Sequence, residues 1–380
     1  MTALTPDEAI ARAVASAGSD DFGPNAEPGG WREGLERALG AFARLPFKPE
    51  ARAGVEGKIV GDLVTRLRIE QWYAAHPEVD AEVIDGPVFV VGMPRTGTTA
   101  TVGMLALDDR FRFLRAWEGH APLPPPIVSE EGDDPRALAA REAARSYHRR
   151  HMHLPDPDGP EEDLAILSGY DMHAYHGAFP MPDDYVAWWM ASDFRSTYAY
   201  HQRILKLLQS RRPPGLWLLK SPPHLFKLDA IARQYPKARF VMTHRDPLKI
   251  IPSVASLHHT LYGERGVADV MSKAEVGERF LSFWTEGVRR GLAARAAIGE
   301  ERFIDVSNDE VVKRPLETFA RLYAHLGLDL TPELERKILA YNSDKAPGAF
   351  GTHHYTLEEY GLTAEGVRAA FGGYIERFGL

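Results

Sequence analysis

Four short runs of apolar residues stand out in the chain, and none of them alternates apolar with polar positions. Each run leads into a stretch in which apolar residues recur at helical spacing. Unbroken apolar strands that alternate with helices are typical of a parallel sheet with helices on both faces. The pattern predicts an α/β fold with strands at Val88–Val91, Leu216–Leu219, Arg239–Met242 and Arg302–Val306.

The N-terminal part of the chain shows helical periodicity instead. Residues 51–72 place their apolar positions on one stripe, and the glycine- and proline-rich stretch 23–30 breaks the region into pieces. No motif of catalytic residues occurs there. We therefore predict a helical extension over residues 1–84, with a packing or dimerisation role, on an α/β domain over residues 85–380.

A long insertion, at about residues 122–200, separates the first two predicted strands. An insertion above strand ends is a common way to build an acceptor pocket. Its acidic run D-P-D-G-P-E-E-D (156–163) lacks the spacing of a calcium loop, which predicts a solvated turn. Aromatic residues in and after the insertion favour a hydrophobic alcohol or phenol as acceptor. They are Tyr170, Tyr175, Phe179, Tyr185 and Trp188.

Composition narrows the class of function. The absence of cysteine from all 380 residues excludes disulfides, thiolate zinc sites and cysteine nucleophiles. A net charge of −8 argues against nucleic-acid binding, although a local basic pocket remains possible. No stretch approaches the ~20 apolar residues that cross a bilayer, and the N-terminus lacks a secretory signal. We expect a cytoplasmic protein, with a homodimer as the default assembly.

The loop after the first predicted strand reads P-R-T-G-T-T. Gly92 and Gly97 have the spacing of a phosphate-binding loop, but Thr98 stands where such loops carry lysine. Backbone N–H groups at the start of a helix suit an anion. Thr98 and Thr99 can add hydroxyl donors, and Arg95 can grip two oxygens of a terminal group. The loop therefore predicts a P-loop-like anion site that uses arginine.

Cationic residues also follow the second and third predicted strands. Lys220 emerges at the end of the second strand in L-K-S-P-P-H-L, where it can reach a bridging oxygen. Arg245 follows the third strand, and Ser253 lies eight residues on, about two helical turns into the next helix. Because parallel strand ends share one edge of a sheet, Arg245 and Ser253 predict a clamp for a second phosphate.

These three motifs, in this order and each at a strand end, resemble those of the sulfotransferase family. The similarity is greatest to its bacterial branch and to the tyrosylprotein enzymes, which also carry arginine in the first loop. It covers the chain from about residue 87 to the C-terminus. The resemblance implies transfer of the sulfuryl group of 3′-phosphoadenosine 5′-phosphosulfate to a hydroxyl of a small acceptor, without a required metal.

The resemblance also implies roles for individual residues. The 5′-phosphosulfate would be held by Arg95, Thr96, Gly97, Thr98 and Thr99. The 3′-phosphate, which ATP lacks, would be held by Arg245 and Ser253. Lys220 and Arg95 would neutralise the leaving bisphosphate.

The catalytic base stays open between a glutamate and a histidine. Glu118, in R-A-W-E-G-H-A-P, lies 23 residues beyond Arg95, in a place similar to the catalytic glutamate of the tyrosylprotein enzymes. The spacing is not identical. His224 follows Lys220, as a histidine does in the cytosolic animal enzymes, but the intervening serine and prolines shift its register. Both residues are therefore candidates, and His120 is a third and weaker one.

Two other functions remain as alternatives. An ATP-dependent small-molecule kinase would want a lysine in place of Thr98 and a carboxylate for magnesium, for which Asp305 is the candidate. A non-catalytic nucleotide-binding protein would keep the fold without turnover. Tight binding of adenosine 3′,5′-bisphosphate without magnesium would exclude the kinase, and turnover would exclude the binding protein.

Overall fold

One parallel sheet organises the protein. The computed structural model describes residues 3–24, 29–145, 156–171, 179–267, 270–344 and 355–380. The strands are β1 (Val88–Val91), β2 (Phe111–Phe113), β3 (Leu216–Lys220), β4 (Arg239–His244) and β5 (Phe303–Ser307). They are all parallel and stand in the order β2-β3-β1-β4-β5. The predicted α/β class is confirmed.

Helices cover both faces of this sheet. They are α1 (Pro6–Ala17), α2 (Trp31–Ala43), α3 (Pro49–Ala75), α4 (Thr98–Leu105), α5 (Ala116–His120), α6 (Pro135–Arg145), α7 (Asp183–Ala191), α8 (Arg195–Gln209), α9 (Leu228–Gln234), α10 (Pro247–Glu264), α11 (Lys273–Ile298), α12 (Asn308–Lys313), α13 (Pro315–Leu326), α14 (Pro332–Asp344) and α15 (Ala364–Phe378). Among the described residues, no helix combines the length and apolar character needed to cross a membrane.

The central strand β1 shows why its apolar run does not alternate with polar residues. Val88 and Val90 face a core with α4, α13 and α14, whereas Phe89 and Val91 face a larger core with α8, α9, α10 and α11. Because successive side chains of a strand point to opposite faces, a strand covered twice must be apolar at every position. Full burial of a side chain such as Phe89 contributes about 1.5–3 kcal/mol.

The strand β2 was not predicted. It lies at the edge of the sheet, and its middle residue is Arg112, which interrupts the apolar pattern. The guanidinium of Arg112 stacks over the ring of Trp217, 4.7 Å from the ring centre, and pairs with Glu118. Packing against an aromatic ring and a buried carboxylate thus allows a charged residue in a strand that propensity alone would not select.

The N-terminal helices share the larger core with the sheet, and buried polar contacts fasten them. Arg66 on α3 is fully buried and donates to the carbonyl oxygens of Phe22 at 2.7 Å and Pro24 at 2.6 Å. Its guanidinium also lies 3.5 Å from a carboxylate oxygen of Asp171 and 3.8 Å from the ring centre of Tyr200. A buried arginine needs such partners, so these contacts fix α3 against the rest of the chain.

Candidate active site

The loop that follows β1 holds its backbone in unusual conformations. Gly92 has a φ of 148°, and a Cβ at this position would lie 2.6 Å from the hydroxyl oxygen of Thr243 on β4. Arg95 adopts a φ of 68°, which is left-handed and costs a non-glycine residue about 1–3 kcal/mol. Gly97 has a φ of 92° and begins α4, where no side chain caps the helix. The N–H groups at this helix start are therefore available to an anion.

The threonines of this loop divide into two roles. The hydroxyl of Thr96 is fully buried, donates to the carbonyl oxygen of Met93 at 2.7 Å and lies 2.6 Å from the hydroxyl of Thr243. The side chain of Thr96 therefore braces the loop, and only its backbone remains for a ligand. Thr99 is exposed at the start of α4, whereas Thr98 is nearly buried.

The strand order brings the three sequence motifs to one edge. The strand β1 pairs with β3 through Val90 and Lys220, and with β4 on its other side. Lys220 and Arg245 consequently flank the loop after β1. A guanidinium nitrogen of Arg245 donates to the backbone carbonyl oxygen of Arg95 at 3.1 Å. Ser253 is almost fully buried two turns into α10.

Lys220 has a carboxylate partner that the sequence reasoning missed. Its ammonium nitrogen lies 3.0 Å from Glu162, whose side chain is 30% exposed. The segment around Glu162 is held to the strand ends because Glu161 N–H donates to Leu114 and Asp163 N–H donates to Lys220. The prediction of a solvated turn for residues 156–163 was therefore wrong at its end. The sequence does contain an indication that this end is buried, because E-E-D runs directly into the apolar stretch L-A-I-L.

Asp163 is the centre of a buried polar network. One carboxylate oxygen accepts from the backbone N–H of Lys220 at 3.2 Å. The other lies 2.8 Å from His224 Nε2 and 3.2 Å from His201 Nε2. Burial alone would raise the pKa of Asp163, but these hydrogen bonds outweigh it and hold the pKa well below its ordinary value. The ionised Asp163 thus anchors the segment that carries Glu162 to the end of β3.

The ring of His224 lies inside this buried network, whereas a catalytic base must be able to reach the acceptor hydroxyl. It is fully buried, and the phenol oxygen of Tyr198 lies 2.8 Å from its Nδ1 while Asp163 occupies its Nε2. With both ring nitrogens engaged, neither faces the space above the strand ends. The geometry gives His224 a structural role in fixing Asp163.

The same network predicts how stability depends on pH. Burial lowers the pKa of His201, so its imidazole is neutral in the folded protein at neutral pH. The unfolded chain takes up a proton there near its ordinary pKa of about 6.5, so below that pH unfolding binds a proton and stability falls. Between about pH 7.5 and about pH 5.5, denaturant titration should show a smaller loss of unfolding free energy for His201→Gln than for the natural sequence. Equal losses would contradict this assignment.

Glu118 lies apart from the cluster at the strand ends. It is fully buried, accepts from the guanidinium of Arg112 at 2.6 Å and from the backbone N–H of Arg115 at 2.9 Å. The guanidinium groups of Arg115 and Arg212 lie 3.5 Å and 3.9 Å from it. Its two oxygens are thus surrounded by cations and by the start of α5. This arrangement favours a structural carboxylate over a base that must reach an acceptor.

A cavity of about 490 Å³ opens beside the acidic segment and is bordered by Glu161. Small and apolar side chains from α5, α6 and the residue after α5 dominate its wall. They are Ala116, Trp117, Ala121, Ala140, Ala143 and Ala144. Of the aromatic residues expected at an acceptor pocket, Phe179 and Tyr185 are buried in the core, and Tyr175 lies outside the described residues.

Asp305, the candidate magnesium ligand of a kinase, is already engaged by basic side chains. Asp305 on β5 accepts from His244 at 2.8 Å and from both terminal nitrogens of Arg295, at 2.5 Å and 2.9 Å. Within the part of the chain that the structure describes, no group of three or more histidine, aspartate or glutamate residues could hold a metal ion.

Comparisons with known proteins agree with the geometry. The solved structure of sulfotransferase STF9 from Mycobacterium avium matches with a TM-score of 0.88 and 31% identity, covering 99% of this chain and 97% of that one. Sulfotransferase STF1 from Mycobacterium tuberculosis H37Rv matches with a TM-score of 0.82 and 29% identity, covering 98% and 99%. Both matches include the N-terminal helices.

Sequence comparison gives the same result. Omega-hydroxy-beta-dihydromenaquinone-9 sulfotransferase Stf3 of Mycobacterium bovis is 25% identical over 304 residues, which are 78% of this chain and 76% of the relative. The sulfotransferase family model matches residues 87–332, from the start of β1 to the start of α14. The three sequence motifs lie together at one edge of the sheet. The chain belongs to the sulfotransferase family and is a sulfotransferase enzyme.

Proposed function

We propose that the protein transfers the sulfuryl group of 3′-phosphoadenosine 5′-phosphosulfate to a hydroxyl of a small hydrophobic acceptor. The contact between Arg245 and the carbonyl oxygen of Arg95 carries the donor assignment. The contact joins residues at the ends of adjacent strands, which supports a single nucleotide site that involves both arginines. The loop of Arg95 would bind the 5′-phosphosulfate, and Arg245 with Ser253 the 3′-phosphate.

The chemistry follows from the positions of Lys220 and Glu162. In an in-line displacement, the acceptor oxygen forms a bond to sulfur while the bond between sulfur and the bridging oxygen breaks. The acceptor proton passes to the carboxylate of Glu162, and the leaving group is adenosine 3′,5′-bisphosphate. Lys220 and Arg95 stabilise the charge that develops on its 5′-phosphate. Glu162 is supported as the base because it is partly exposed and lies 3.0 Å from Lys220.

Two observations support a hydrophobic acceptor. The alanine-lined cavity lies next to Glu161, so a chain seated there would bring its hydroxyl towards Glu162. The similar protein Stf3 is named as a sulfotransferase of an omega-hydroxy-dihydromenaquinone, which is an apolar molecule with a hydroxyl. A prenyl or alkyl alcohol fits this cavity better than a polyanion, which the negative net charge of −8 would also repel.

A calorimetric titration tests the donor assignment. Without magnesium, we expect adenosine 3′,5′-bisphosphate to bind at least about a hundredfold more tightly than ATP, because only the bisphosphate engages both clamps. Tighter and magnesium-dependent binding of ATP would favour the kinase. Sulfate transfer from labelled donor to a library of alcohols and phenols then separates an enzyme from a protein that only binds nucleotide.

A further inference from the structure

The C-terminal helix α15 reaches the donor clamp at the end of β4. The backbone alternates there, so that Arg245 points to the site while the preceding residue, His244, is buried to 2% exposure on the other side. The ring of Phe378 stacks on His244 with centres 3.8 Å apart, and the phenol oxygen of Tyr374 lies 3.0 Å from His244 Nδ1. Both aromatic residues belong to α15, which lies beyond the part of the chain that matches the family model.

The hydrogen bonds around His244 have one consistent direction. Asp305 accepts from His244 Nε2 and is held by Arg295, so Nε2 carries the proton and Nδ1 is free to accept. Burial lowers the pKa of His244, which favours this neutral ring. The phenol O–H of Tyr374 therefore donates to Nδ1. The chain of donors runs from Tyr374 through His244 to Asp305.

In this chain, the hydroxyl of Tyr374 holds the ring of His244, the residue that directly precedes Arg245 at the end of β4. The side chain of Arg245 is held separately by the carbonyl oxygen of Arg95. Loss of the hydroxyl alone would leave Nδ1 of His244 without this partner, while the aromatic ring of residue 374 would still pack. The backbone that aims the guanidinium would then be less restrained.

We infer that Tyr374 is a positioning residue that acts through Arg245 and sets the preference of the enzyme for a 3′-phosphorylated nucleotide. The inference rests on the proposed donor, since Arg245 is its 3′-phosphate ligand. Arg245 contacts the phosphate together with Ser253, whereas Tyr374 does not touch the phosphate and acts by fixing the backbone from which the Arg245 guanidinium extends. The specificity for the donor thus depends on a helix that is remote in sequence from the three donor motifs.

Nucleotide binding to Tyr374→Phe tests this role. We expect the dissociation constant of adenosine 3′,5′-bisphosphate to rise about tenfold, while that of adenosine 5′-monophosphate stays unchanged. In turnover assays the KM for the donor should rise with kcat at saturating donor retained. A general loss of structure would weaken both nucleotides alike, and a change in neither would equally overturn the inference.

Two further variants separate the possible failures. Tyr323→Phe is the matched control, because it removes a buried phenol that donates to Asp108 at 3.0 Å in the other core, and it should keep the ratio of the two dissociation constants. Arg245→Ala should abolish the preference for the 3′-phosphate, and adding Tyr374→Phe to it should change nothing more. If Arg245→Ala keeps the preference, the donor assignment fails; if only Tyr374→Phe keeps it, the inference about α15 fails.

Discussion

Replacement of Lys220 by alanine should lower the rate of sulfate transfer by about a hundredfold to a thousandfold, with nucleotide binding reduced much less. The ammonium group stands at the end of β3, beside the loop that follows β1, where the bond from sulfur to the bridging oxygen would break. Its contribution grows as charge develops on the leaving oxygen, so it stabilises the transition state more than the bound donor. The measurement is turnover with saturating labelled donor and the best acceptor from a library.

The matched control for this prediction is Lys237→Ala. Lys237 is 76% exposed, pairs with Asp85 on the surface and lies before β4, so its removal should leave turnover unchanged. An undiminished rate in Lys220→Ala would show that another group neutralises the leaving bisphosphate. Equal loss of nucleotide affinity and turnover would instead assign Lys220 to binding of the ground state.

Replacement of Glu162 by glutamine should reduce kcat by about 10²–10⁴, the range lost when a general base is removed. The amide keeps the size of the side chain and can still accept from Lys220, but it cannot take the acceptor proton. Binding of adenosine 3′,5′-bisphosphate should remain close to that of the natural enzyme. The measurement combines turnover with calorimetry.

Glu118→Gln serves as the comparison for Glu162→Gln, because we expect it to lower stability and to leave kcat unchanged. It removes the carboxylate that neutralises Arg112 in a fully buried position, which should lower the unfolding free energy by about 3–5 kcal/mol. The folded fraction should retain its kcat. If Glu118→Gln abolishes turnover in a folded protein while Glu162→Gln does not, the sequence-based assignment of Glu118 as base is correct.

The sequence predicted the parts of the fold that depend on local pattern. The strands β1, β3, β4 and β5 were found because burial on both faces requires unbroken apolar runs. The prediction stopped short of Lys220 in β3 and of His244 in β4, since polar residues end an apolar run although the ladder continues. The strand β2 was missed because tertiary partners, not its own composition, allow Arg112 there.

The residues of the candidate site also differ in whether local pattern or long-range contacts determine their positions. Arg95, Lys220 and Arg245 could be placed together because parallel strand ends share one edge. Glu162 could not, since its position depends on the pairing of Asp163 with the backbone of Lys220 across 57 residues. The orientation of the His224 ring depends in turn on its hydrogen bond to Asp163. Contacts between distant segments decide which of several polar side chains reaches the acceptor, and no local periodicity encodes them.

The hydrogen bond from Arg245 to the carbonyl oxygen of Arg95 has a consequence for the catalytic cycle. In the proposed site, a nucleotide bound through its 3′-phosphate would displace this internal contact. It would therefore gain only the difference between an ion pair with phosphate and a hydrogen bond from the guanidinium to a neutral carbonyl. At the end of a turnover the same carbonyl can take the guanidinium back as the spent bisphosphate departs. Under this donor assignment, the carbonyl oxygen of Arg95 engages the guanidinium while no nucleotide is bound, which would limit how tightly the product inhibits the enzyme.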